Sequence, residues 1–160
     1  MFIFGKKPAY WKEQLGGMIL GFIFFALVFL SNPELSKWKV FIKEIPNIGM
    51  CTFGFLLTFL GIILQGGSKT IEWMKSREIL FQRFISFNKR IVILSIVLSV
   101  YAYFLAYFNF EWIGECFVNC TCLFEIITKT LISVFALFSV WFLYDTMYFI
   151  KIFYLLIKKN

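Results

Sequence analysis

The sequence predicts an all-α fold: a polytopic membrane protein built as a four-transmembrane-helix bundle, with a cytoplasmic amphipathic helical connection between helices 2 and 3. Three observations predict it. Residues 14–33, 45–68 and 91–110 contain no Asp, Glu, Lys or Arg, and residues 130–150 contain one acid, Asp145. Each stretch matches the roughly 20 apolar residues that a helix needs to cross hydrocarbon, where backbone polar groups must be satisfied inside the helix. The chain is 61% apolar and 22% aromatic, with 23 Phe in 160 residues, too greasy for a soluble domain of this size. Twelve of the 16 basic residues lie before span 1, between spans 2 and 3, or after the body of span 4. That asymmetry places both termini and the 2–3 connection in the cytoplasm.

The elements follow in order. Tyr10 and Trp11 mark the inner interface, where amphipathic aromatics collect. Span 1 covers about residues 14–32 and carries the close-packing pair Gly17 and Gly21. Lys6, Lys7 and Lys12 precede it as in a signal peptide, but Leu30-Ser31-Asn32-Pro33-Glu34 offers no small-x-small cleavage site, so a retained helix is expected. Asn32-Pro33 ends it. Residues 34–44 form an outer loop, with a short interfacial helix around Lys37, Trp38 and Lys39 as the alternative, and Pro46 opens span 2 at the position where proline is best tolerated. Span 2 covers 46–66 and the connection covers 67–89. In the connection Leu80, Phe81, Phe84, Phe87 and Ile91 recur at helical spacing, with Gln82, Arg83, Asn88, Lys89 and Arg90 on the other side. This amphipathic helix either lies on the membrane surface or extends inward as a hairpin. Span 3 covers 90–109 and span 4 covers 129–150, all within one transmembrane domain, residues 1–160.

The least random pattern is in span 2. Asn47, Cys51, Gly54, Thr58, Gly61, Gln65 and Ser68 follow one another at alternating steps of four and three, which keeps them on one helix face. All are small or polar, while Phe55, Leu56, Leu57 and Ile63 are among the residues expected to face lipid. The small face serves helix packing or, if copies share an axis, a water-lined path. Span 3 repeats the device with Ser95, Ser99, Ala102 and Ala106. Asp145 is the one ionisable residue well inside a span. Such acids face the bundle interior, so a pairing with Lys89, Arg90 or Arg83 is expected, against the alternative of a proton or ion site.

Enzyme chemistry has little to stand on. The chain has no His, and it lacks a nucleophile elbow, a phosphate loop and a pair of intramembrane acids. No cofactor and no metal are expected: Cys116, Cys120 and Cys122 lack a fourth zinc ligand. In an oxidising space Cys116 would pair with Cys120 or Cys122. A small multidrug transporter would need a Glu in its first helix, and a tetraspanin would need a larger cysteine-rich loop than residues 109–128. The net charge of +7 is explained by membrane topology, so no direct nucleic-acid binding is expected. Lys75, Arg77, Arg83, Lys89 and Arg90, with Trp73, Met74, Phe81 and Phe84 among them, suit anionic membrane lipids or a soluble partner protein.

A helix with GFLLTFLGIILQGGSKTIEW, followed by the basic stretch KSREILFQRFISFNKR leading into span 3, resembles the small four-helix inner-membrane proteins of bacterial antiphage defence, the RexB-like phage-exclusion proteins and the Kiwa membrane subunits (KwaA). The likeness covers roughly residues 48–108. It implies a membrane sensor or anchor in the bacterial inner membrane that recruits a soluble partner, or alternatively an oligomeric pore-forming effector or ion channel that depolarises the membrane. Small-residue seams on three spans exceed what one four-helix bundle needs to bury, so a homo-oligomer is expected, and the likeness implies four copies.

Overall fold

The computed structural model describes residues 8–65, 72, 76, 78–108 and 121–158. Among them the fold is all-α, with no strand: α1 (Pro8–Leu30), α2 (Leu35–Gln65), α3 (Glu78–Tyr107) and α4 (Thr121–Lys158). Three helices are long and apolar enough to cross a membrane, through Ser36–Ile63, Phe84–Tyr107 and Leu123–Tyr154. The apolar part of α1, Leu15–Leu30, is shorter. At 31 and 38 residues, α2 and α4 extend about 46 and 57 Å at 1.5 Å per residue. Both exceed the roughly 30 Å of hydrocarbon, so they must tilt or project beyond it.

Helix ends depart from the sequence expectation in two places. Residues 35–44, expected as an outer loop, are the first turns of α2, and Pro46 lies inside that helix instead of opening it. Proline removes one backbone donor and crowds the carbonyl four residues back. The turn before that defect is held by burial, because Ile42 is fully buried and Ile45 is 7% exposed, and the turn after it contains the buried Gly49. Tertiary packing therefore carries the helix across a residue that local preference would place at its start. In α4, helical structure begins at Thr121 and runs on to Lys158. The end of α1 follows the local signal. Asn32 takes the left-handed conformation (φ 52°) that Asn tolerates better than most residues. The Ser31 hydroxyl donates to the Val28 carbonyl at 2.8 Å.

The helices pack in the spatial order α1–α4–α3–α2, with α3 and α4 in the middle. The core lies along the α2–α3–α4 junction: Phe84, Ile91, Ala102 and Phe135 are fully buried, Leu56 and Leu98 nearly so. Phe59 of α2 packs edge-on against Phe84 of α3 and against Phe149 and Phe153 of α4. The apolar face of residues 78–90 thus enters the helical core and does not rest on a lipid surface. Ser95, Ser99 and Ser133 donate to carbonyls three or four residues back in their own helices, which hides their polarity inside an apolar interface.

Candidate functional site

Two features stand out from this frame, a buried ion pair and an open helix face. Arg90 of α3 and Asp145 of α4 meet along one guanidinium edge: Nη2 donates to Oδ1 at 2.7 Å, and Nε lies 2.6 Å from Oδ2. The two nitrogens face the two carboxylate oxygens as a fork, joined by one charge-assisted hydrogen bond and one close charge contact. Asp145 is fully buried and the Arg90 side chain is 21% exposed. The Phe87 ring, one turn before Arg90, lies 4.7 Å from the guanidinium carbon and adds a cation–π contact. Trp141, one turn before Asp145, sets its indole alongside the carboxylate.

α1 closes the site from above. A Cβ on Gly17 would lie 2.6 Å from Trp141 Cδ1 and 3.1 Å from Asp145 Oδ1. A Cβ on Gly21 would lie 2.9 Å from the Leu137 carbonyl oxygen. Only a bare backbone fits this close, so the two glycines seat α1 on α4 directly over the pair. The geometry pairs a charge that an apolar interior would otherwise penalise, and among the described residues the Asp145 side chain has no exposed surface. Of the three cations expected as its partner, Arg90 takes the role. Lys89 is exposed, and the Arg83 side chain lies outside the described residues.

The small-residue face of α2 sits elsewhere. Asn47, Cys51, Gly54, Thr58 and Gln65 are exposed and Gly61 is half-buried. A Cβ on Gly54 or Gly61 would meet nothing within 4 Å. Thr58 donates to the Gly54 carbonyl at 2.9 Å, so its hydroxyl is satisfied within the helix. The face is therefore not the seam of its own bundle. α2 packs on α3 through Ile42, Ile45, Gly49, Leu56 and Ile63, which repeat at three- and four-residue steps on the opposite side of the helix. Leu56 and Ile63, expected to face lipid, belong to the core, at 2% and 4% exposure. The physical reason is Gly49. A side chain there would overlap the Ser99 hydroxyl and come within 3.1 Å of the Ser95 carbonyl, so its absence lets α2 settle onto the serine seam of α3. Ser95 and Ser99 are buried in that seam, at 0% and 2% exposure.

Beside the open face, α2 and α4 touch at Phe41–Phe135 toward one end and at Phe59–Phe153 toward the other. Between these contacts is an apolar cleft of about 430 Å³, lined by Cys51, Thr52, Phe55 and Thr146 among others. Cys51 is a free thiol. Lys75, Arg77, Cys116, Cys120 and Ser68 lie outside the described residues, as does the side chain of Cys122.

Sequence reasoning missed Gly49 and Asn88. Asn88 was assigned to the polar side of its helix, yet it is fully buried, and its amide donates to the Leu56 carbonyl at 3.4 Å. The signal was present: Asn88 stands four residues after Phe84 and three before Ile91, on the apolar stripe itself. Tyr101 likewise ties α3 to α4 by donating to the Leu131 carbonyl at 2.9 Å. Compared with protein-family models, curated proteins and solved structures, the chain matches none.

Proposed function

We propose that the protein is a non-enzymatic, four-span subunit of the bacterial inner membrane, with both termini cytoplasmic, that self-associates and serves a phage-defence system as a sensor or anchor for a soluble partner. The observation that carries the self-association is the division of α2, while the defence role rests on the resemblance. One seam is used up against α3, and the opposite, small-residue face, with Gly54 and Gly61 open, meets no other helix of the chain among the described residues. Small residues reward a second helix at close range and offer lipid little contact, so a second copy is the natural cover. Four copies is the starting expectation, by resemblance to the Kiwa membrane subunits. The forked Arg90–Asp145 pair supports a scaffold over an ion-coupled transporter, because the intramembrane acid is already neutralised.

The soluble partner would dock on the basic connection, where exposed Lys89 continues the run begun by Lys75, Arg77 and Arg83. An acidic face would gain on-rate and orientation from that field. Charge reversal of Lys75, Arg77 and Arg83 together should release a neighbour-encoded soluble protein at physiological salt while membrane insertion stays intact. Retention of the partner by the triple variant would place docking elsewhere. The second reading, a pore, draws on the same α2 face, since exposed Asn47, Thr58 and Gln65 would line a shared axis. A steady bilayer conductance that is reduced by Thr58→Leu favours the pore; electrical silence with partner co-purification favours the anchor.

A further inference from the structure

We infer that the cavity between the α1–α2 turn and the start of α4 binds the headgroup of a phosphoethanolamine phospholipid. It encloses about 360 Å³, within the size range of small-ligand sites. Pro33 and Phe124 supply apolar wall, and Glu34, Glu125 and Lys129 supply charge of both signs. The inference rests on the spans proposed above. The apolar part of α1 ends at Leu30, and the charge-poor run of α4 begins at Thr130. Both boundaries lie at the cavity, at the level where hydrocarbon gives way to headgroups.

The charges match a zwitterion with a primary amine. The Lys129 side chain is only 19% exposed and has one carboxylate partner, Glu125 at 2.7 Å. An ammonium carries three donors, so donors remain for a phosphate at the cavity that Lys129 lines. Glu34 stands on the opposite wall, placed there by the left-handed turn at Asn32. Its own partner, Lys37, is 74% exposed and lies outside the lining. With Lys37 counted beside Glu34, two carboxylates face two ammoniums and the cluster is neutral, which suits a zwitterion: an ethanolamine ammonium donates hydrogen bonds to Glu34 and Glu125 while its phosphate accepts from Lys129. A phosphocholine head has no N–H to donate, and a phosphoglycerol head brings no cation. Both should bind less well. Soluble phosphoethanolamine has the same polar chemistry, but the apolar wall and the interfacial level favour the lipid.

The test uses the full-length protein in nanodiscs of equal phosphatidylethanolamine, phosphatidylcholine and phosphatidylglycerol, with retained lipid counted by native mass spectrometry. Phosphatidylethanolamine should be enriched about fivefold, and Glu34→Gln or Lys129→Gln should each abolish that enrichment, as expected for the loss of one charge-assisted contact at a partly exposed site. Glu34→Lys should reverse the preference toward phosphatidylglycerol, a gain that a misfolded variant would not show. Equal retention of the three lipids, or unchanged selectivity in all three variants, overturns the site. Displacement of the lipid by millimolar soluble phosphoethanolamine overturns the lipid as its source. Carbonate-resistant membrane association, measured in parallel, separates failure of the site from failure of the spans.

Discussion

Glycine does opposite work on two faces of this protein. At Gly17, Gly21 and Gly49 a single added carbon would collide with a neighbouring helix, so backbones meet there without side chains between them. At Gly54 and Gly61 the same carbon would meet nothing within 4 Å. Both sets lie on apolar helices, both sit at helix-packing spacing, and α2 carries one of each a few residues apart. In lipid, water does not drive helices together, and close packing supplies much of the association. The first set is where that packing holds the monomer together, with the buried ion pair under Gly17. The second is where the packing surface of the monomer remains uncovered.

The contrast can be broken first at its most costly point. Removing one partner of the Arg90–Asp145 fork, by Asp145→Leu or Arg90→Leu, leaves a charge without its counter-ion and should cost about 3–5 kcal/mol. The double variant should return to within about 1 kcal/mol of the parent, because replacing both charges removes the desolvation penalty with the attraction. Thermal unfolding of the purified protein in detergent, run as a double-mutant cycle, reads this directly. Additive losses in the double variant would mean that the two side chains are not coupled as their geometry implies.

The glycines come next. Gly49→Leu and Gly17→Leu should each destabilise the monomer by about 1–3 kcal/mol through forced displacement of α3 or of the ion pair. A smaller effect is expected at Asn88→Leu, about 0.6 kcal/mol by the same melting assay, the usual worth of a hydrogen bond between membrane helices. The least change in monomer stability is expected for Gly54→Leu, within about 0.5 kcal/mol of the parent. That variant should instead reduce the oligomer mass measured in nanodiscs. If Gly54→Leu unfolds the protein as readily as Gly49→Leu does, the two faces do not differ in the way described here.

Sequence alone determined the class, because composition and span length are properties of the chain that no packing detail can reverse. It marked a cation as the expected partner of Asp145, since an unpaired carboxylate in hydrocarbon is costly, with a proton or ion site as the alternative. It also marked the serine seam of α3 and the glycines of α1 as packing surfaces. Which seam α2 would use was left to tertiary structure. The rows through Ile42, Ile45, Gly49, Leu56 and Ile63 and through Cys51, Gly54, Thr58 and Gly61 have the same period, and a period names a repeat without naming its partner. The choice fell to the fit of one glycine against Ser95 and Ser99. Tertiary contacts likewise selected Arg90 over the exposed Lys89, drew Asn88 into the core, and carried α2 through Pro46. Each of these outcomes depends on where a second helix lies, and local sequence preferences hold no record of that distance.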